Sequence, residues 1–173
     1  HPAYQEVDPA DKELMYPILE ACEAMDALVL IHTGTTRMTY SKIRTCNPIS
    51  IDDIATDFPN LKIIMTHFGW PWTAEALATI WRHENVYLDL SGWLPKYIYQ
   101  AEPIVFHYMN SILSDKFVYG SDYPAIDPTT WIDDFMEIVK NGYVWGNNKK
   151  EFRQEAIDKF FRHNAVKILG LDK

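Results

Sequence analysis

The sequence predicts an α/β fold on a parallel sheet, in extent about half of a (β/α)₈ barrel, and two observations carry that expectation. Four short apolar runs alternate with helical stretches, and the ends of those runs recur at the spacing of barrel units. The runs are Ala27–Ile31, Leu61–Met65, Val86–Leu90 and Phe117–Tyr119. The first two are nearly continuous in large aliphatic residues rather than alternating, as strands buried on both faces are. From His32 to His67 is 35 residues, from His67 to Ser91 is 24, and from Ser91 to Asp122 is 31. A complete barrel of about 250 residues averages roughly 31 per unit. Strict alternation argues for crossover helices between parallel strands. With no internal linker or repeat, residues 1–173 read as a single partial barrel domain.

The helical stretches follow in order. Asp8-Pro9 forms an N-cap and N1 pair, after which Met15, Ile18, Cys22 and Met25 recur at helical spacing. Ser50 with Asp53 resembles a capping box for a helix ending near Pro59. Pro71 opens a helix with a stripe of Ala74, Leu77, Ala78 and Trp81. A longer helix is expected over Glu102 to Leu113. Asp127-Pro128 starts another that Asn141-Gly142 stops. The last is expected from about Lys149 to Phe161, followed by an apolar turn at Val166–Leu169.

Bulk properties narrow the function classes. Hydrophobic residues make up 47% of the chain, enough for a packed core, yet no apolar run approaches the ~18 residues of a membrane span. A net charge of −8 disfavours a nucleic-acid partner, which needs clustered Lys and Arg. Cys22 and Cys46 lack the paired spacing of a zinc ribbon and form no disulfide framework, so a reducing cytoplasm is the expected location. The chain opens at His1-Pro2 with no signal-like stretch. A small-molecule substrate remains.

In (β/α)₈ barrels the chemistry sits at the C-terminal ends of the strands. His32, His67 and Asp122 occupy that position after three of the four runs. Imidazole and carboxylate together suit Zn²⁺, Mn²⁺ or Fe²⁺, with an open position for water or a carbonyl. Singly, each has a structural explanation: a core histidine bonded to a carbonyl, or an aspartate capping a turn. The three in register shift the balance to a site. Asp89, between Leu88 and Leu90, reads equally as functional or structural, because a buried carboxylate needs a partner. Arg37 is a candidate clamp for a substrate carboxylate or a solvated loop cation. Trp70, Trp93 and Tyr123 are candidates to line an aromatic pocket, or loop packing. His83, His107 and His163 read as structural, and His1 as either a strand end or a frayed terminus.

Five segments in order resemble the amidohydrolase-related family, a branch of the amidohydrolase superfamily that includes metal-dependent hydrolases and aromatic-acid decarboxylases. They are Ile31-His32-Thr33-Gly34, His67-Phe68-Gly69-Trp70-Pro71-Trp72, Val86 through Gly92, Tyr119-Gly120-Ser121-Asp122-Tyr123-Pro124 and Asn164 through Leu171. The resemblance covers essentially the whole chain. It implies the C-terminal half of the barrel: strands 5–8 with their helices, strands 1–3 and most of strand 4 absent. It implies His32 as the strand-5 metal ligand and His67 as a strand-6 ligand or substrate-orienting group. Asp122 would be the strand-8 carboxylate that binds metal and activates water. His1-Pro2-Ala3-Tyr4 is similar to the end of strand 4.

The family's first-strand His-x-His or Glu-x-His pair has no counterpart among the six histidines. One divalent metal is therefore expected in the intact enzyme, and a lone half need not hold it. A half-barrel exposes sheet edges, so homo-oligomerisation or association with the N-terminal half is expected. The implied activity is hydrolysis of a small carboxylated substrate, with aromatic acids among the options. Non-oxidative decarboxylation, metal-independent lactone hydrolysis and a non-catalytic oligomerising fragment are the alternatives.

Overall fold

The aliphatic runs assemble as strands close to their expected bounds in a computed structural model that describes residues 1–171. These residues divide into two compact units, one over His1–Leu88 and one from Asp89 onward.

In the first unit, α1 (Pro2–Gln5) and α2 (Tyr16–Ala24) precede β1 (Leu28–His32). A 3₁₀ turn at Ile43–Cys46 leads into α3 (Ile49–Asp57), then β2 (Lys62–Thr66), a second 3₁₀ turn at His67–Gly69, and α4 (Thr73–Arg82). The unit closes in β3 (Val86–Asp89), whose last residue belongs to the second unit. β1 and β2 pair in parallel from Leu28 opposite Lys62 to His32 opposite Thr66. β2 and β3 pair in parallel with Ile63 opposite Val86 and Met65 opposite Leu88. Ile63, Ile64 and Met65 are buried on both faces, as a continuous apolar run requires. β1 is an edge strand. Its Leu30 is 61% exposed, so this strand's apolar surface is only partly covered.

Helices α2, α3 and α4 each differ from the sequence reading. No helix starts at Pro9: the Asp8 carboxylate accepts from Ala10 N in a turn, and α2 begins at Tyr16. Its expected stripe faces outward at Ile18 and Met25, with Leu19 as the buried residue. Ser50 is no cap but lies inside α3, and Asn47 Oδ1 accepts from Ile49 N at that helix's start. α4 buries Thr73, Ala76, Leu77 and Ile80, leaving Ala74, Ala78 and Trp81 exposed. Two apolar stripes overlap at Leu77, and the one with the larger aliphatic end, Ile80, takes the core.

The second unit runs through α5 (Pro95–Ala101), α6 (Pro103–Met109), β4 (Phe117–Val118), α7 (Pro128–Asn141), β5 (Tyr143–Trp145), β6 (Asn148–Lys150), α8 (Gln154–Asp158), a π-helical turn at Lys159–His163, and α9 (Asn164–Leu169). The helix expected over 102–113 forms as α6 and ends early at Met109, and Glu102 separates it from α5. Glu102 precedes Pro103 and takes φ −142, ψ 68, because a residue before proline is crowded out of the helical region. The helix expected from about Lys149 to Phe161 starts later, at Gln154, because Lys149 and Lys150 belong to an antiparallel hairpin with Tyr143 opposite Lys150 and Trp145 opposite Asn148. α7 starts as expected, the Asp127 carboxylate accepting from Thr129 N and Thr130 N.

Aromatic packing forms the second unit's core. Trp131, Phe135 and Phe160 are fully buried with ring centroids 5.4–5.7 Å apart. Buried Asn164 Nδ2 donates to Ser114 O and Phe117 O, each at 2.8 Å, and so anchors α9 beside β4. Among the described residues no helix is long and apolar enough to cross a membrane.

Asn164→Ala removes both donations and leaves two buried carbonyls unpaired, at roughly 1–3 kcal/mol for each group. Urea denaturation of the variant should show a lowered midpoint with an unchanged slope; an unchanged midpoint would refute the anchor.

Candidate functional site

Parallel pairing brings β1 and β2 to an end at the same level, and the candidate histidines stand there. His32 is the final residue of β1, and His67 is the first after β2. Their rings meet edge to face at 4.7 Å. The loops beyond them are tied together. Thr33 Oγ1 donates to Thr66 O at 2.7 Å, Gly34 N to Cys46 O at 2.8 Å and Thr35 N to Trp70 O at 2.7 Å. Gly34 sits at φ +81, and a Cβ there would lie 2.5 Å from Trp70 O. His67 and Phe68 take φ 68 and 45, left-handed conformations that L-residues seldom adopt. Such conformations collect at functional sites, held by their surroundings.

Two residues that the sequence left open or dismissed join this group. His1 caps α1, and its ring stacks on His32 at 3.7 Å and on Tyr4 at 3.6 Å. Cys46 is buried at the end of its 3₁₀ turn. One potential ligand atom from each of His1, His32 and Cys46 lies within 4.8 Å of the others. These residues come from three separate segments, so no spacing motif could have announced them.

Burial governs the electrostatics. It pushes the His32 imidazole down to about 4, the neighbouring His67 adding to the effect, while backbone hydrogen bonding at Thr35 and Gly34 opposes it. Burial raises the Cys46 thiol. His32 Nε2 and His1 Nδ1 are buried and have no hydrogen-bond partner. A buried polar atom left bare calls for an explanation, and a metal ion supplies one. A neutral imidazole with an open nitrogen is the ligating form. The residues present therefore fit a divalent metal at His32.

The other candidates are placed as follows. Arg37 is exposed in the loop after β1, and Trp70 is half-buried after β2. In the second unit, Asp122 is exposed at φ 71, and its carbonyl accepts from Ala125 N at 2.8 Å, closing a turn. Tyr123 beside it is 72% exposed. Trp93 is half-buried, and its carbonyl accepts from Trp131 Nε1 at 3.0 Å. Asp89 is buried, with Oδ1 accepting from both Ser91 N and Ser91 Oγ in the turn after β3. His83 bonds Asp52 at 2.8 Å at the end of α4, and His107 stacks on Trp145 at 4.3 Å.

An amidohydrolase family model matches residues 1–171, and the chain belongs to that family. Protein fluG of Emericella nidulans is 24% identical over 151 residues, which are 83% of this chain and 17% of fluG. An uncharacterized TIM-barrel protein of Bordetella bronchiseptica superposes with a TM-score of 0.74 at 25% identity, covering 93% of this chain and 52% of that one. The 4-oxalomesaconate hydratase of Rhodopseudomonas palustris superposes with a TM-score of 0.53 at 19% identity, covering 92% and 50%. The chain thus spans about half of these structures and a smaller part of fluG.

Two outcomes follow from the site. Gly34→Ala forces a left-handed Cβ against Trp70 O; strain of at least ~1–2 kcal/mol is expected, read as a lowered thermal midpoint. In the metal-free chain the His32 ring should titrate near 4, against an ordinary 6.5, in an NMR pH series. The unfolded chain takes this proton first. His32 therefore costs no stability above pH 6.5, and its penalty grows as pH falls toward 4. A midpoint near 6.5 would contradict the burial argument.

Proposed function

We propose that this amidohydrolase-family chain is the C-terminal half of a (β/α)₈ barrel, and that the whole protein is a metal-dependent hydrolase of a small carboxylated substrate. The observation that carries the reading is His32: neutral, with a buried and unpartnered Nε2, at the C-terminal end of a parallel strand. Coverage of about half of two structural relatives supports the half-barrel, as does the partly bare edge strand β1. On this reading that edge takes a strand from the rest of the barrel or from a second copy.

A bound divalent metal would supply Lewis acidity and a more acidic water. His32 would hold it through Nε2. Asp122 would contribute a carboxylate ligand and accept the proton of the attacking water. His67 would ligate alongside His32 or hold the substrate by a hydrogen bond. Arg37 would pair with a substrate carboxylate, and Trp70, Trp93 and Tyr123 would line the pocket. The carboxylated substrate class draws on the hydratase relative, whose name specifies an oxalomesaconate.

Elemental mass spectrometry after incubation with Zn²⁺ or Mn²⁺ and desalting tests the ligand assignments. About one metal per chain is expected, with strong losses in His32→Ala and Asp122→Ala. Metal retained in both variants would overturn the assignment.

A further inference from the structure

We propose that the connection between β1 and α3 recognises a small polycarboxylate, with Lys42 and Arg44 holding a second carboxylate beyond the one assigned to Arg37. The inference rests on the reading of Arg37 as a substrate clamp. It deepens that reading from a carboxylated substrate to one with at least two carboxylates. The first observation is how charge is paired. The first unit contains six lysines and arginines. Lys12, Lys62 and Arg82 pair with Asp57, Asp26 and Asp52. The other three, Arg37, Lys42 and Arg44, are all exposed on this one connection. Among the described residues none of these three forms an ion pair. The second observation is the absence of acid. From Ala27 to Ile51 the sequence has no Asp or Glu, although the chain carries 24 of them against 16 Lys and Arg. Cations kept from every local carboxylate are available to a ligand's.

The third observation is shape. Gly34 N donates to Cys46 O at 2.8 Å and closes the loop at its base, two residues beyond His32. Within it, Ser41 N and Ser41 Oγ both donate to Met38 O, and Thr45 Oγ1 donates to Lys42 O. A surface loop whose ends meet and whose own groups bond internally is an Ω-loop, a form that frequently carries function. The three cations are thus displayed on a shaped element at the strand end that bears His32. Their charge has a use there. A chain of net charge −8 repels an anion at long range, and a local run of unpaired cations reverses that field near the site. One guanidinium satisfies one carboxylate through two parallel hydrogen bonds. A monocarboxylate would therefore engage Arg37 and leave Lys42 and Arg44 without a counter-ion. Met38 and Tyr40, 41% and 73% exposed, interrupt the cations along the loop. That arrangement suits carboxylates set apart on a carbon chain better than the single charge centre of a phosphate.

The test titrates the ¹⁵N-labelled, metal-free chain with glutarate, butyrate and inorganic phosphate, and follows backbone amides by NMR. An ionic strength of about 0.1 M screens exposed charges more than about 10 Å apart. Amides between Gly34 and Cys46 should shift saturably, with glutarate bound about tenfold more tightly than butyrate. Lys42→Gln and Arg44→Gln should each weaken glutarate about threefold, and together about tenfold, with butyrate unchanged. Arg37→Gln should weaken both anions. Lys12→Gln removes the same charge from a paired cation and should change neither affinity. Equal affinities for glutarate and butyrate, shifts confined to other segments, or an unaltered double variant would overturn the inference, as would no saturable binding at all. Phosphate bound as tightly as glutarate would overturn the polycarboxylate class. A Glu-rich peptide that binds where glutarate does not would overturn it in favour of an acidic protein partner. The titration needs no metal, so the two readings fail separately. Zinc retained without glutarate binding would remove this inference alone, whereas glutarate binding without zinc retention would sustain it and remove the metal.

Discussion

The register of β1 against β2 determines where the first unit can do chemistry. With His32 opposite Thr66, a one-residue slip would invert the faces of β1 and carry His32 away from His67. Register is secured at the strand ends as much as along them. Thr33, Gly34 and Thr35 each bond to a different part of the chain: to Thr66, to Cys46 and to Trp70. Three consecutive residues are thereby fixed immediately beyond the candidate ligand. The cost is a set of conformations that only glycine adopts freely or that a rigid surround must impose. Gly34, His67, Phe68 and Gly69 all have positive φ within this small region. Strain here is local, whereas the pairing that opposes it extends over five residue pairs between β1 and β2.

Much of this was legible in the sequence because apolar runs and their polar ends are short-range signals. The runs at 27–31 and 61–65 marked two strands to within a residue, and the residues that end them marked His32 and His67. Long-range effects were not legible. The interior face of α4 could not be chosen from periodicity alone, since Leu77 belongs to both possible stripes. Cys46 carried no signal of its own, because its neighbours His1 and His32 are brought to it by folding. Other misses had readable causes. Pro103, at the first helical position, marks the start of α6 one residue after the expected Glu102. Gly146-Asn147, between Tyr143–Trp145 and Asn148–Lys150, is a two-residue hairpin turn of a familiar composition.

The second unit answers a different demand. Its aromatic residues are spent chiefly on packing: Trp131, Phe135 and Phe160 fill the core between α7 and the π-helical turn. Trp93 contributes a backbone acceptor to that core through Trp131. Its half-buried ring is therefore presented from a pinned position. Tyr123 and Asp122 lie on an exposed turn. Loops on a rigid scaffold are where binding residues concentrate, and this turn has that character while the core beneath it does not.

The burial that suits His32 for a metal also limits what else it can do. An imidazole that takes its proton only near 4 holds almost none at neutral pH, so it cannot serve there as a general acid. Its lone pair is free for coordination over the same range, because protons compete poorly for it. One environment thus selects ligation over proton transfer at this position. Asp122, by contrast, carries an exposed carboxylate on a turn of the second unit. The roles proposed above, holding for His32 and proton transfer for Asp122, accord with this difference in exposure.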